Sequence, residues 1–214
     1  MNAFARLLLC TALSGLALGA QARTFEVSDF AELDDAVIEA EDGDEIVIKK
    51  GVYELEAPLE IFSRVTVRGE QGAVIDAGGR GSGFIVRVPK VRIENLTVRN
   101  YGGDLYARDA GVMVGDGADG TDLVNLPLQG PGFGVRADRM NALVVEGCTI
   151  EGDAARHVLD RGDGIFLSYV KNARLNHNSL RNVRDGYYLE NVDAAKSDFN
   201  YFTGAQYGIH YMYT

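Results

Sequence analysis

Apolar residues in this chain come in short alternating runs, seldom more than three together, and most runs are closed by a glycine, a small polar residue or a charged one. In "GDGIFLSY" (162–169), "RDGYYLEN" (184–191) and "QYGIHYMY" (206–213) the first and third residues after the glycine share one face and the second and fourth the other. That is the two-residue period of a strand. The three stretches are also copies: Asp163, Asp185 and Tyr207 are separated by 22 residues at each step, and the same step carries Asn178 onto Asn200 and Leu180 onto Phe202. "SGFIV" (82–86), "AGVMV" (110–114) and "FGVRA" (133–137) read as earlier copies of this turn and strand, with "VRIENLTV", "LVVEGCTI" and "ARLNHNSL" as its second strand.

Repeats of this length built from short strands bury an apolar face only by stacking on their neighbours. The expected fold is therefore all-β: a right-handed parallel β-helix over 23–214, coils about 4.8 Å apart. Residues 163–167, 185–189 and 207–211 should stack as parallel strands, and Asn178 over Asn200 should form an amide ladder. A solenoid end needs a cover. "SDFAELDDAVIEAEDGDEIVI" (28–48) predicts a capping helix at about 28–41, with Ser28 as N-cap, Phe30, Leu33, Val37 and Ala40 on one face, and Gly43 ending it. No second cap is legible before Thr214, so further coils are expected beyond it.

Composition narrows the class. The 26 glycines against 4 prolines and no tryptophan suit many tight turns between short elements. Arg6, the apolar "LLLCTALSGLALG" and the small residues "AQA" at 20–22 predict a secretory signal peptide over 1–22, removed on export. A formal net charge of −10 disfavours nucleic acid and anionic lipid as partners. Export would also take Cys10, leaving Cys148 without a disulfide partner and expected as a small buried residue.

Chemistry gathers on the outward positions. The second position after each glycine reads Met113, Arg136, Phe166, Tyr188, His210, and the fourth reads Ser168, Glu190, Met212 in the clear coils. His210 and Met212 thus fall two residues apart on one face, and imidazole beside thioether suits a soft metal, Cu(I) above all. Phe166, Tyr188 and Tyr213 extend this into an apolar strip for a partner. Two weaker candidates compete. Asp163 and Asp185 could form an acid/base pair for a polysaccharide lyase or hydrolase, although aspartate before glycine also suits a tight turn. Asp116, Asp119 and Asp122 in "DGADGTD" could hold Ca²⁺, although their spacing misses the calcium-loop pattern. His157 and His177 are read as structural.

"GGDLYARDAGVMV" (102–114), "RGDGIFL" (161–167), "RDGYYLEN" and above all "GIHYMYT" (208–214), in this order, resemble the NosD family of periplasmic proteins in nitrous oxide reductase maturation, within the carbohydrate-binding and sugar-hydrolase-like parallel β-helices. The resemblance implies a non-enzymatic assembly factor. It would handle copper or sulfur for the copper–sulfur centre of nitrous oxide reductase. Its implied partners are an ABC transporter permease and ATPase, a copper-chaperone lipoprotein and the reductase itself. His210, Tyr211, Met212 and Tyr213 match the family's hallmark strand.

Overall fold

The structure, a computed structural model, describes residues 21–213. The predicted signal segment, but for its last two residues, lies outside them, as does Cys10.

Strands of three to six residues follow one another around a three-sided coil, and every pairing between coils is parallel. Three sheets result. The first has eight strands, from Thr24–Val27 to Lys196–Asp198; the second has seven, from Gly51–Glu54 to Tyr201–Thr203; the third has seven, from Leu59–Ile61 to Tyr207–Met212. The expected stacking is met residue for residue: Ile165 pairs with Tyr187 and Tyr187 with Ile209, while Leu167, Leu189 and Tyr211 follow in the same register. The earlier copies Phe84–Val86, Ala110–Val114 and Phe133–Asp138 lie in the same third sheet.

The second half of each repeat departs from the expectation of one strand. "VRIENLTV" holds two, Arg92–Glu94 in the first sheet and Thr97–Arg99 in the second. Between them Asn95 takes a left-handed conformation, φ 58°, and a single such residue turns the chain at the corner. Asn125, Gly147, His177 and Phe199 hold the same corner in later coils, all with positive φ. Asparagine and glycine tolerate that conformation, whereas an ordinary side chain is strained by about 1–2 kcal/mol. At the last two corners the rings of His177 and Phe199 stack with centroids 5.1 Å apart.

The core is the inward column of each sheet: Ile93, Leu123, Val145 and Leu175 in the first, Val98, Leu128, Ile150 and Leu180 in the second, Val112, Val135, Ile165 and Tyr187 in the third, none of them accessible to solvent. Where the second sheet presses on the third, the chain passes through a column of glycines that includes Gly134, Gly164 and Gly186. A Cβ on Gly164 would collide with Leu180 and the Gly186 carbonyl.

The polar column beneath differs from an amide ladder. Asn178 Oδ1 accepts from the Cys148 backbone N–H, and Asn200 Oδ1 accepts from the Asn178 backbone N–H at 2.8 Å, so each side chain bonds backbone of the preceding coil. Asn178 Nδ2 also donates to the Tyr187 hydroxyl. Cys148 is buried as expected, its thiol pushed up to about 12 by desolvation.

The capping helix α1 (Phe30–Glu39) covers the first coil with Leu33 and Ala36 buried. Its N-cap is Asp29, not Ser28: Asp29 Oδ1 accepts from Glu32 N–H at 2.9 Å, while Glu32 reaches back to the Ser28 N–H at 2.8 Å. This is a reciprocal capping arrangement shifted one residue from the expected one.

Candidate metal-handling face

The outward face of the third sheet carries the predicted ladder in register. Met113 pairs with Arg136, Arg136 with Phe166, Phe166 with Tyr188, and Tyr188 with His210. Two residues further on, Asp138, Ser168, Glu190 and Met212 form the parallel column. The alternation that buries Ile165 and Leu167 therefore puts His210 and Met212 on one outer face, two residues apart.

Coil spacing brings the rings of this ladder into contact. Phe166 and Tyr188 stack almost flat, 5° between planes and 4.9 Å between centroids. The His210 ring meets Tyr188 at 4.8 Å and Tyr207 at 5.2 Å, both edge-on. At the other end the Arg136 guanidinium lies 4.1 Å from the Phe166 centroid and 5.1 Å from that of Phe133, while Nε and Nη2 donate to Asp138. Phe166 and Tyr188 are half-buried in consequence.

Tyr213 stands apart from the strip. It takes a left-handed φ of 57° at the corner after the strand, in the column of Arg139, Tyr169 and Asn191, and is 79% exposed. Ile209 and Tyr211 lie on the inward register but are exposed, since no further strand covers theirs among the described residues.

Beneath His210 sits a feature that strand alternation did not reveal. His210 Nδ1 is 2.8 Å from Oδ2 of Asp185, whose side chain is 3% exposed. The other oxygen, Oδ1, is buried and finds no partner among the described residues. Asp163, one coil earlier, is saturated instead: Arg184 Nε and Nη2 donate to its two oxygens at 2.9 and 2.6 Å, and the Asp185 backbone N–H donates to Oδ1. Burial pushes the Asp163 carboxyl above its ordinary value, against the pull of Arg184. The two acids read as an acid/base pair are thus sunk beneath the surface, one held by a guanidinium and the other by an imidazole. Register could have located Asp185 next to Tyr207, but its reach to His210 is a diagonal side-chain contact that no repeat arithmetic predicts.

The remaining candidates disperse. Asp116 pairs with Arg139, Asp122 with Arg92, and Asp119 accepts from the Asn141 N–H, so the acidic loop is occupied by the neighbouring coils. His157 Nδ1 accepts from Leu159 N–H at the start of the short 3₁₀ turn Val158–Asp160. Among the described residues no three His, Cys, Asp or Glu side chains converge as a metal cage. His210 and Met212 are then two donors of different chemistry, with His210 Nε2 left free of the Asp185 bond. That pair fits a soft cation in part and needs further ligands to complete its coordination.

Comparison with known proteins places this face in context. Two curated relatives, each named as a probable ABC transporter binding protein NosD, come from Stutzerimonas stutzeri, 39% identical over 137 residues, and Pseudomonas aeruginosa, 36% identical over 136 residues; each alignment covers 64% of this chain. The chain spans 30% of the length of either relative. A solved structure from Parabacteroides merdae, described as a candidate glycosyl hydrolase, superposes with a TM-score of 0.59 at 13% identity, over 86% of this chain and 96% of that one. Such a likeness speaks to the β-helix alone. Residues 141–214 match the model of the family described as periplasmic copper-binding protein (NosD). The resemblance read from the sequence is thereby borne out over residues 141–214, and this matched segment contains the ladder from Phe166 through His210 to Met212.

Proposed function

We propose that this chain is part of a periplasmic accessory protein of the NosD type, one that handles copper for maturation of the copper–sulfur centre of nitrous oxide reductase in association with an ABC transporter. The observation that carries the reading is the coincidence of the two soft donors with the family match: His210 and Met212, side by side on one outer face, both fall within residues 141–214. Copper enters here as cargo. A thioether and a neutral imidazole favour Cu(I) over hard cations, and an incomplete donor set on an open face suits a metal that is passed on rather than kept. The stacked Phe166 and Tyr188 beside them offer a flat apolar contact for the protein that supplies or receives the metal. The transporter permease and ATPase, a copper-chaperone lipoprotein and the reductase are the partners this role calls for; sulfur as the cargo is the variant of the same role.

A Cu(I)-chelator competition titration tests it. The substitutions His210→Ala and Met212→Ala together should weaken copper binding at least about tenfold, a change of about 1.4 kcal/mol. Unchanged affinity would place the copper site elsewhere. The polysaccharide-enzyme alternative draws no support from Asp163 and Asp185, which are buried and engaged. Turnover on uronic-acid or neutral polysaccharides, lost on Asp163→Asn or Asp185→Asn, would restore it.

A further inference from the structure

We propose that Asp185 is a positioning residue for His210: its buried carboxylate holds Nδ1–H and so keeps Nε2 bare and turned outward as the donor atom. The consequence for copper rests on the reading of the preceding section; the assignment of the ring's proton does not.

The inference starts from burial. Asp185 belongs to the column that precedes the turn glycines, in register with Tyr207, and only 3% of its side chain meets solvent. Of its two oxygens, Oδ2 bonds His210 Nδ1 at 2.8 Å and Oδ1 has no partner among the described residues. A buried polar atom left unbonded is costly, so the bond from Oδ2 to His210 is what offsets burial of this carboxylate. An ionised carboxylate can only accept, so the bond to His210 requires the hydrogen on Nδ1. A neutral imidazole carries a single N–H, which leaves the lone pair on Nε2.

The neighbours hold both groups in place. Asp163 takes two hydrogen bonds from Arg184, and its Oδ1 in turn accepts the Asp185 backbone N–H, which fixes the chain at Asp185. The imidazole is held between the edge contacts of Tyr188 and Tyr207, so rotation that would exchange the two nitrogens is opposed on both sides. A carboxylate behind a histidine, fixing its tautomer and aiming its other nitrogen, is the arrangement that orients metal-binding imidazoles in general. Here it is built from two consecutive coils. The repeat step that stacks Asp185 on Tyr207 makes it, and it would be lost if either coil slipped by one residue.

Nitrogen-15 NMR of the histidine rings at about pH 8, where an ordinary imidazole is neutral, reads the tautomer directly without any metal. The expected spectrum of the unmodified protein has His210 protonated at Nδ1 with unprotonated Nε2. Protonation at Nε2 with a bare Nδ1 would mean that Asp185 is itself the donor; that form, or a ring protonated at both nitrogens, would overturn the proposal even if no variant folds. Asp185→Ala should release the ring to the Nε2–H form and weaken Cu(I) binding by about 10–100-fold. A tautomer unchanged by Asp185→Ala also overturns it. If the tautomer switches while copper affinity stays put, the positioning role stands and the copper reading fails; the two outcomes are thereby separated.

Discussion

Two coils of the third sheet fill the same pair of outward positions in opposite ways. In Phe133–Asp138 the second and fourth positions are Arg136 and Asp138, a guanidinium bonded twice to a carboxylate and lodged between the rings of Phe133 and Phe166. Arg136 is only 9% exposed, and every charge there is matched by its neighbour. In Tyr207–Met212 the same positions are His210 and Met212, which cannot satisfy each other: one is held from below by Asp185 and the other is a weak acceptor. The first coil spends its polar groups on itself. The second leaves Nε2 and a sulfur facing outward, so identical backbone geometry gives a structural clamp in one place and an open donor pair in the other. The fold supplies the position, and the residue types decide whether that position is closed or available.

The comparison can be broken most forcibly at the buried charges. Arg184→Ala strands the fully buried Asp163 carboxylate, and urea denaturation should show a loss of about 3–5 kcal/mol. Arg136→Ala tests the closed pair in the same way. Its cost should sit at the lower end, about 3 kcal/mol, because Arg108 Nη1, 3.7 Å from Asp138, can take over part of the charge. At the open pair the costs should fall. His210→Ala removes the partner of Asp185 and should destabilise by about 1–3 kcal/mol. Met212→Ala should cost no more than about 0.5 kcal/mol while still weakening Cu(I) binding. If Met212→Ala proves as damaging to stability as Arg136→Ala, the last strand is a clamp like the earlier one and the contrast dissolves.

A pH titration sharpens the same contrast from the capped end. Arg23, bonded to Asp44 by side chain and backbone, lowers the Asp44 carboxyl to about 2. Because the folded value lies below that of the unfolded chain, this pair supports the fold in full above about pH 4 and its contribution is lost as pH falls through about 2. Amide exchange in Thr24–Val27, followed downward in pH, should show that strand opening in acid before the strands around Ile165 do.

The sequence by itself determined the repeat and therefore the stacking. Glycine turns at a 22-residue step, with alternating apolar residues after them, admit one economical packing, and the step alone aligns Ile165, Tyr187 and Ile209. Strand alternation likewise placed His210 and Met212 on one face, because side-chain direction in a strand follows from chain geometry alone. Tertiary structure decided what no period encodes. A single left-handed residue at Asn95 or His177 divides one apparent strand into two, since one residue of backbone freedom is invisible to hydrophobic alternation. Tyr213 left the aromatic strip for the corner column for the same reason. The N-cap moved from Ser28 to Asp29, two residues of equal capping chemistry between which only backbone direction chooses. And Asp163 and Asp185, twin aspartates before twin glycines, were parted by their contacts: Arg184 lies within reach of one carboxylate and His210 within reach of the other, and such diagonal contacts exist only once the coils are stacked.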